Sequence, residues 1–319
     1  MDDLKICMIG LGSIGQRHLG NVIAVLEQRG IAYQIDALRS GHGKTDLKWD
    51  DVLKNQYHSV DEMPEDYDLI FITNPTSLHY DMINKVVRKT KHMFIEKPVF
   101  DSCDYNVESI ERKQNGIYYV ACPLRHKSIL KYVKEQIVSR KKTIMARIWS
   151  TSYLPDWRKG VDYTKVYSAQ KKMGGGVTRD LIHEWDYAID LFGTPQKVFQ
   201  ATGHVSNLKM DCEDVALYIA KYPEMLLEMH LDYIGQKTER ILQIFTNQER
   251  IDVDLINNTI LEYRNNELVD KMQFPNEDIY RNEMEYFIDC LEGKTENINT
   301  MEHAYQTLKT ATQEESSVE

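Results

Sequence analysis

Cysteine is scarce in this sequence, and its arrangement disfavours two kinds of site. The five cysteines are scattered, without a CxxC pair or a Cys/His ligand spacing, so neither a zinc site nor a disulfide framework is expected. The sequence contains no apolar run of the ~18 residues that span a bilayer, and no basic and apolar signal segment opens it. We therefore expect reduced thiols, no bound metal, no membrane partner and a cytoplasmic location.

Basic charge is also in deficit. The chain has 39 lysines and arginines against 49 aspartates and glutamates, which gives a formal net charge of −10. Nucleic acids bind basic surfaces, so a nucleic-acid partner is not expected. The length of 319 residues exceeds what one hydrophobic core usually supports, so we expect two domains.

The first third of the sequence alternates strand and helix signals. The first apolar run, for example, is followed by apolar residues at helical spacing, Leu19, Val22, Ile23 and Leu26. Strands separated by helices predict a doubly wound parallel sheet, which is an α/β fold. The predicted strands are 4–9, 31–38, 68–73, 92–97 and 117–122.

The pattern changes near residue 122. Successive strand candidates then follow with little helix between them, which predicts a largely antiparallel sheet. Two helices are predicted near 276–292 and 300–318. We therefore predict domains at 1–122 and 123–319. The strand candidates of the second domain are 142–153, 197–205, 215–222, 225–233, 239–246 and 249–256.

A glycine motif, GLGSIG, lies between the first predicted strand and the first predicted helix. The first glycine of such a motif allows a tight turn, the second lets the backbone approach a pyrophosphate, and the third lets helix and strand pack closely. Free N–H groups at the helix start then bind the anion. We predict that a dinucleotide contacts Gly10, Gly12, Ser13, Ile14 and Gly15.

The end of the second strand bears on which dinucleotide binds. Leu38 occupies the place where an acid would hold the adenosine ribose of NAD, and Arg39 and Ser40 follow it. An arginine and a hydroxyl can hold the 2′-phosphate of NADP. We therefore expect NADP as the cofactor. The alternative is that Asp36 binds the ribose and Arg39 is an exposed loop residue, which would favour NAD.

Polar residues follow the third strand. Thr73, Asn74 and Pro75 come directly after it, and ligands bind at the carboxyl ends of parallel strands. We expect these three residues to line the cofactor. His79 either joins them or only begins the next helix.

The fourth strand runs into Glu96, Lys97 and Pro98. The proline disfavours helical geometry at Lys97 and holds it extended. The Lys97 ammonium is therefore expected at the ligand-binding edge of the sheet. The alternative is a structural ion pair between Glu96 and Lys97.

A second polar segment follows three glycines, 174–176, which we expect to let the backbone approach a ligand. Asp180, His183, Glu184 and Tyr187 follow at intervals that would place them on one face of a helix. A carboxylate and an imidazole on one face can hold and deprotonate a hydroxyl group. The alternative is that Asp180 only caps the helix.

Three motifs carry a resemblance to a known family: the glycine motif GLGSIG, the sequence Glu96-Lys97-Pro98, and the Asp180/His183 segment that follows three glycines. In this order and with these separations, they resemble the Gfo/Idh/MocA oxidoreductases over nearly the whole chain. The resemblance implies a Rossmann domain followed by an α/β domain with an open, mostly antiparallel sheet. It also implies transfer of a hydride between NAD(P) and a hydroxyl or keto carbon of a sugar, nucleotide sugar or sugar acid. The open sheet commonly builds a dimer or tetramer interface in the family, so a homodimer or homotetramer is expected.

The resemblance also assigns roles. Lys97 would lie beside the nicotinamide, with Glu96, and hydrogen-bond the reacting hydroxyl, while Asp180 would position the substrate. The better-known members have a histidine four residues after the aspartate, where this chain has Glu184. A branch associated with polysaccharide, nucleotide-sugar or nonulosonic acid synthesis has the pattern Asp-x-x-His-Glu, so His183 is expected to donate or accept the proton.

That branch also has a motif like the segment 153–158. In physical terms, cations and flat rings near the pocket suit an anionic sugar or a base. Two alternatives to a dehydrogenase stay open, a redox-neutral lyase or hydrolase acting on a sugar, and a nicotinamide-binding sensor without turnover. The expected substrate contacts are Lys97, Arg125, Trp157, Arg158, Tyr163, Asp180, His183 and Glu184.

Overall fold

The computed structural model describes residues 3–41 and 49–312. The chain divides into two units. Unit 1 comprises Met1–Pro123 and Asp278–Gln306, and unit 2 comprises Leu124–Glu277 and Thr307–Glu319.

Unit 1 contains a six-stranded sheet in the order β3-β2-β1-β4-β5-β6. All of its paired strands run parallel. The strand order reverses between β1 and β4, and this switch point is where open α/β sheets bind ligands at the carboxyl ends of their strands. The predicted doubly wound sheet is confirmed. Its strands are β1 (Leu4–Ile9), β2 (Tyr33–Leu38), β3 (Leu53–Tyr57), β4 (Tyr67–Ile72), β5 (Thr90–Ile95) and β6 (Tyr118–Val120).

The first helix of unit 1, α1 (Ser13–Arg29), forms because one of its faces is apolar. Leu19, Val22 and Leu26 are fully or almost fully buried on that face. The helix ends at Gly30, whose φ of 65° is a left-handed conformation that glycine adopts without strain. The second helix, α2 (His79–Val86), follows β4.

The late helix α6 (Ile279–Leu291) belongs to unit 1. It starts at Asp278, whose side chain accepts the backbone N–H groups of Tyr280 and Arg281. Met284 and Phe287 are completely buried in the core of the parallel sheet. The sequence-based boundary put this segment in the second domain, because a return of the chain to the first core leaves no local signal.

Unit 2 contains an eight-stranded sheet in the order β14-β13-β12-β11-β7-β10-β9-β8. Only the β7–β10 pair is parallel among the pairs of these described strands. The predicted mostly antiparallel sheet is therefore confirmed. The strands are β7 (Met145–Tyr153), β8 (Lys197–Gly203), β9 (Val215–Lys221), β10 (Leu226–Asp232), β11 (Ile234–Phe245), β12 (Arg250–Asp254), β13 (Thr259–Arg264) and β14 (Glu267–Gln273).

Short helices accompany this sheet. They are α3 (Ser128–Tyr132), which continues as a π-helix over Val133–Val138, α4 (Val177–Asp180) and α5 (His183–Phe192). The last described helix is α7 (Met301–Thr312), and the last part of the predicted helix 300–318 lies outside the described residues. Within the described ranges, no helix is both long and apolar enough to cross a membrane.

Candidate active site

The glycine motif forms the turn between β1 and α1, and its three glycines have different surroundings. Gly10 has a φ of +88°, and a Cβ there would lie 2.8 Å from the backbone nitrogen of Asn74. A Cβ at Gly15 would overlap the carbonyl oxygen of Gly10. At Gly12, no described atom beyond its chain neighbours lies within 4 Å of a built Cβ. Two glycines are thus needed for packing, and one borders open space.

That open space lies at the start of α1. Gly12 is the N-cap, no side chain of a described residue caps the helix, and its first turn contains no acidic residue. The first N–H groups of the helix therefore lack intrahelical partners, and the positive end of the helix dipole is not neutralised. Ser13 and Ile14 form this first turn. Such a helix start suits a pyrophosphate.

The residues after β4 close the other side of the turn. The Thr73 hydroxyl donates to the carbonyl oxygens of Gly10, at 2.6 Å, and of Ile9, at 3.0 Å. The side-chain nitrogen and oxygen of Asn74 are both buried, and neither has a hydrogen-bond partner among the described residues. A buried amide without partners is unusual. The turn and this amide therefore fit a polar ligand such as a dinucleotide.

His79 is buried at the start of α2, where its ring contacts the loop after β4 and the loop after β5. Its Nδ1 lies 3.2 Å from the carbonyl oxygens of both Pro98 and Val99, and its Nε2 lies 3.0 Å from that of Asn74. Burial lowers the pKa of His79, although these carbonyls oppose the shift. Both ring nitrogens are thus occupied by the chain itself. Pro75 caps the short helix Thr76–Leu78 and is exposed.

The acid near the end of β2 is occupied. Asp36 is only 8% exposed, and it accepts hydrogen bonds from the Tyr67 hydroxyl at 2.7 Å and from Asn55 at 2.9 Å. Arg39 donates to Gln56 at 2.8 Å. Ser40, which follows, is exposed. These contacts weaken the alternative in which Asp36 binds the ribose.

Glu96 follows the end of β5, and its carboxylate is engaged twice. One oxygen accepts the backbone N–H of Lys97 at 3.0 Å, and the other pairs with Nε2 of His18. Burial works to raise the pKa of Glu96, but His18 and Lys97 outweigh burial, so the pKa is lowered. The Lys97–Pro98 peptide bond is cis, and the Lys97 side chain is half-buried.

In unit 2, the predicted single helix with four polar residues on one face is wrong. The segment forms two helices, α4 ending at Asp180 and α5 starting at His183, with Leu181 and Ile182 between them. The alternative that Asp180 caps a helix is also wrong, because the N-caps are Gly176 and Ile182.

Asp180 is buried among hydroxyl groups. Its carboxylate accepts hydrogen bonds from Ser168 at 2.6 Å, from Tyr233 at 3.1 Å and from Tyr167. Burial and the neighbouring Asp180 charge raise the pKa of Tyr233 well above its usual value, so this phenol stays protonated. Nothing in the sequence indicated Tyr233, which lies between β10 and β11 and is far from Asp180 along the chain.

Two of the three glycines before α4 lie against other parts of the chain. A Cβ at Gly175 would overlap the carbonyl oxygen of Tyr167, and one at Gly176 would overlap the carboxylate of Glu213. Gly176 also has a φ of +110°. The backbone carbonyl oxygen of Glu213 accepts the N–H of Val177 at 3.0 Å. At these two positions, close approach of the chain to itself requires glycine.

Two predicted substrate contacts form internal ion pairs. Glu184 is completely buried, with an oxygen 2.8 Å from Nε of Arg240. Arg125 is buried and donates two hydrogen bonds to Asp186, at 2.8 and 2.9 Å. Breaking such a pair costs about 3–5 kcal/mol. These contacts indicate a role in holding α5, whose first residue, His183, is half-buried.

The other predicted contacts of unit 2 lie together. Trp157, Arg158 and Tyr163 line a small cavity together with Ser168. The Trp157 ring packs edge-on against Tyr233, with centroids 5.2 Å apart. Because Ser168 also donates to Asp180, the cavity wall is directly bonded to the buried acid.

The parallel sheet, its switch point and the glycine turn define unit 1 as a Rossmann fold. Residues 4–121 match the family model described as "Oxidoreductase family, NAD-binding Rossmann fold". This match confirms the resemblance to the Gfo/Idh/MocA oxidoreductases for residues 4–121.

Two curated relatives are similar to part of the chain. The uncharacterized oxidoreductase YrbE of Bacillus subtilis is 27% identical over 203 residues, which are 61% of this chain and 56% of YrbE. The myo-inositol 2-dehydrogenase of Thermotoga maritima is 25% identical over 213 residues, 63% of this chain and 59% of that enzyme. The chain thus matches less than two thirds of the length of either relative.

A solved structure is similar over almost the whole chain. The WlbA dehydrogenase from Bordetella pertussis, in complex with NADH and UDP-GlcNAcA, has a TM-score of 0.78. The match covers 98% of this chain and 95% of that one at 16% sequence identity. At this identity the likeness shows the fold.

Proposed function

We propose that the protein is an NAD(P)-dependent dehydrogenase or reductase that acts on a hydroxyl or keto carbon of a sugar, nucleotide sugar or sugar acid. The observation that carries this proposal is the open space at Gly12, beside an uncapped helix start and the orphaned Asn74 amide. The match of residues 4–121 to the oxidoreductase family model supports the same reaction class.

The glycine turn, Thr73 and Asn74 would hold the dinucleotide. A bound nicotinamide dinucleotide supplies the hydride acceptor or donor. We propose NADP as the preferred form, with Arg39 and Ser40 at its 2′-phosphate. The internal hydrogen bonds of Asp36 support this preference, because they engage the carboxylate that would otherwise bind the ribose of NAD. The last residue of β2, Leu38, is apolar. His79 and Glu96 would act on the cofactor site only through the loops that they hold.

Lys97 would donate a hydrogen bond to the reacting oxygen, and His183 would accept or donate the hydroxyl proton. An imidazole can exchange a proton near neutral pH, and an ammonium group is a hydrogen-bond donor. The Asp180 carboxylate already accepts hydrogen bonds from hydroxyl groups of the chain. Asp180 would therefore orient the substrate indirectly, through these hydroxyl groups.

We further propose an anionic substrate such as a nucleotide sugar or sugar acid. The cavity that includes Trp157, Arg158 and Tyr163 offers a cation and two flat rings, which suit a phosphate or carboxylate and a base or sugar face. The myo-inositol 2-dehydrogenase and the WlbA complex are consistent with a polyol or nucleotide-sugar substrate.

Turnover of a defined panel tests this function. Purified protein would be incubated with NADP or NAD and with inositols, UDP-N-acetylhexosamines and their uronic acids, and followed by nicotinamide absorbance. We expect turnover of at least one compound. Arg158→Ala should raise KM for an acidic substrate by about tenfold and spare its neutral counterpart. Lys159→Ala, its exposed neighbour, is the control. No turnover across the panel despite dinucleotide binding would favour a sensor.

We also propose that the protein self-associates through the sheet of unit 2. Leu217 and Ile219 on β9 are 42% and 55% exposed. Ile219 pairs with the exposed Phe199 on β8. Contiguous exposed apolar residues often mark protein interfaces. Light scattering should give a dimer or tetramer, and Ile219→Glu should shift it toward monomer. A wild-type monomer would contradict the proposal.

A further inference from the structure

His18 is a buried titratable residue to which the proposed reaction gives no role. It lies on the apolar face of α1, between the buried Leu19 and the glycine turn, and it is 0% exposed. Its ring packs against Phe94 of β5, with centroids 4.7 Å apart. A polar side chain at a completely buried position needs a partner.

That partner is Glu96. The ring nitrogen Nε2 contacts Oε1 of Glu96, and a carboxylate can only accept, so Nε2 carries the proton. The other ring nitrogen, Nδ1, is buried without a hydrogen-bond partner within the described ranges. Nε2 is thus the ring nitrogen that donates to the Glu96 carboxylate.

The second oxygen of Glu96 reaches the next residue. Oε2 accepts the backbone N–H of Lys97 at 3.0 Å. Glu96 directly follows β5 and lies two residues after Phe94. His18 contacts both residues. The chain of contacts thus runs from α1, through His18 and Glu96, to the backbone of Lys97.

We propose that His18 is a positioning residue for Lys97: its Nε2–H fixes the Glu96 carboxylate, which in turn fixes the backbone of Lys97 at the end of β5. This inference rests on the proposed function for the role of Lys97, but the contact itself can be tested without turnover. The helix that starts at the proposed pyrophosphate site would thereby also hold the proposed catalytic lysine.

The Lys97 amide proton gives a test that does not need activity. Its exchange with deuterium would be measured by NMR in the full chain. His18→Leu removes the donor and should speed exchange about tenfold or more. His18→Gln, whose amide nitrogen stands near the Nε2 position, should stay within about threefold of wild type. His92→Leu is the control, because it removes a different buried histidine, which lies on β5.

If His18→Leu does not fold, His18→Asn takes its place, since its amide nitrogen stands near Nδ1 and cannot reach Glu96. Faster Lys97 exchange in this variant than in His18→Gln supports the proposal. Exchange in His18→Leu equal to that in His92→Leu, or equally fast exchange in His18→Gln, overturns it.

Kinetics with an accepted substrate give a second reading. His18→Leu should lower kcat about tenfold or more with the KM for dinucleotide changed less than about threefold, and His18→Gln should restore kcat. If His18 has only a structural role, His18→Leu should lower the melting temperature without lowering kcat relative to the KM for dinucleotide. That result would overturn the proposal. A wild-type protein without turnover would refute the proposed function, while the amide exchange would still decide the role of His18.

Discussion

The Ser168 hydroxyl donates to the carboxylate of Asp180 at 2.6 Å, and Ser168 also lines the cavity of unit 2. This hydrogen bond therefore joins the buried acid to the cavity wall. Tyr233 and Tyr167 bind the same carboxylate from other sides. Asp180 thus organises several groups at once.

Replacing this acid should affect both stability and turnover. Asp180→Asn keeps the shape but puts an amide N–H₂ against hydroxyl donors, so we expect a loss of about 1–3 kcal/mol in unfolding free energy. Turnover should fall as well. Ser168→Ala removes one donor to Asp180 and should cost less in both unfolding free energy and turnover. Urea unfolding and kcat would be measured together, and wild-type values for Asp180→Asn would contradict the assigned role.

Two glycine substitutions should separate packing from ligand binding. Gly15→Ala would overlap the Gly10 carbonyl, so we expect a clear drop in melting temperature. Gly12→Ala meets open space in the described structure, so it should fold normally but weaken dinucleotide binding about tenfold or more, since the methyl group occupies the ligand's side. NADPH fluorescence titration and thermal unfolding would test both. Unchanged affinity in Gly12→Ala would place the cofactor elsewhere.

Arg39 should control the choice of dinucleotide. Arg39→Ala is expected to raise KM for NADP about 10- to 100-fold, because it removes a charge-assisted hydrogen bond to the 2′-phosphate, and to leave KM for NAD nearly unchanged. Arg88→Ala, an exposed arginine of the same unit, is the control. Equal losses with both dinucleotides, or better use of NAD by wild type, would refute the NADP preference.

Glu96 should make stability depend on acid pH. Its pKa in the folded chain lies below 4.5, so its ionised form favours folding. This stabilisation is complete above the unfolded pKa and is lost as pH falls through the lower folded value. The unfolding free energy of wild type minus that of Glu96→Gln should therefore be constant above about pH 5 and shrink below about pH 4.5. Glu111→Gln, at an exposed carboxylate, should show a smaller change, and a flat difference would contradict the shift.

The sequence predicted elements whose signals are local. The apolar runs of β1, β4 and β5 and the spacing in α1 were sufficient for the parallel sheet. The edge strand β3 was missed because its sequence, LKNQY, has few apolar residues. The β13–β14 hairpin was also missed, although its turn residues Asn265 and Asn266 both have positive φ, and asparagine is favoured in such turns.

Parts of the site depended on distant contacts and could not be predicted. The spacing of Asp180 and His183 fits one helix or two. The hydroxyl groups of Tyr167, Ser168 and Tyr233 that donate to Asp180 could not be identified from this spacing. The ion pairs of Arg125 and Glu184 likewise join segments far apart in sequence. His18 did leave a signal, a lone histidine on the apolar face of α1, but its partner Glu96 is 78 residues away.

We propose that Lys97 acts on the reacting oxygen of a dinucleotide-dependent reaction. The most direct measurement is kcat of Lys97→Ala with saturating dinucleotide and an accepted substrate, beside Lys91→Ala, an exposed lysine on β5. We expect Lys97→Ala to lose about 1,000-fold or more in kcat with dinucleotide affinity within about threefold of wild type. Near-normal turnover in Lys97→Ala would contradict the account.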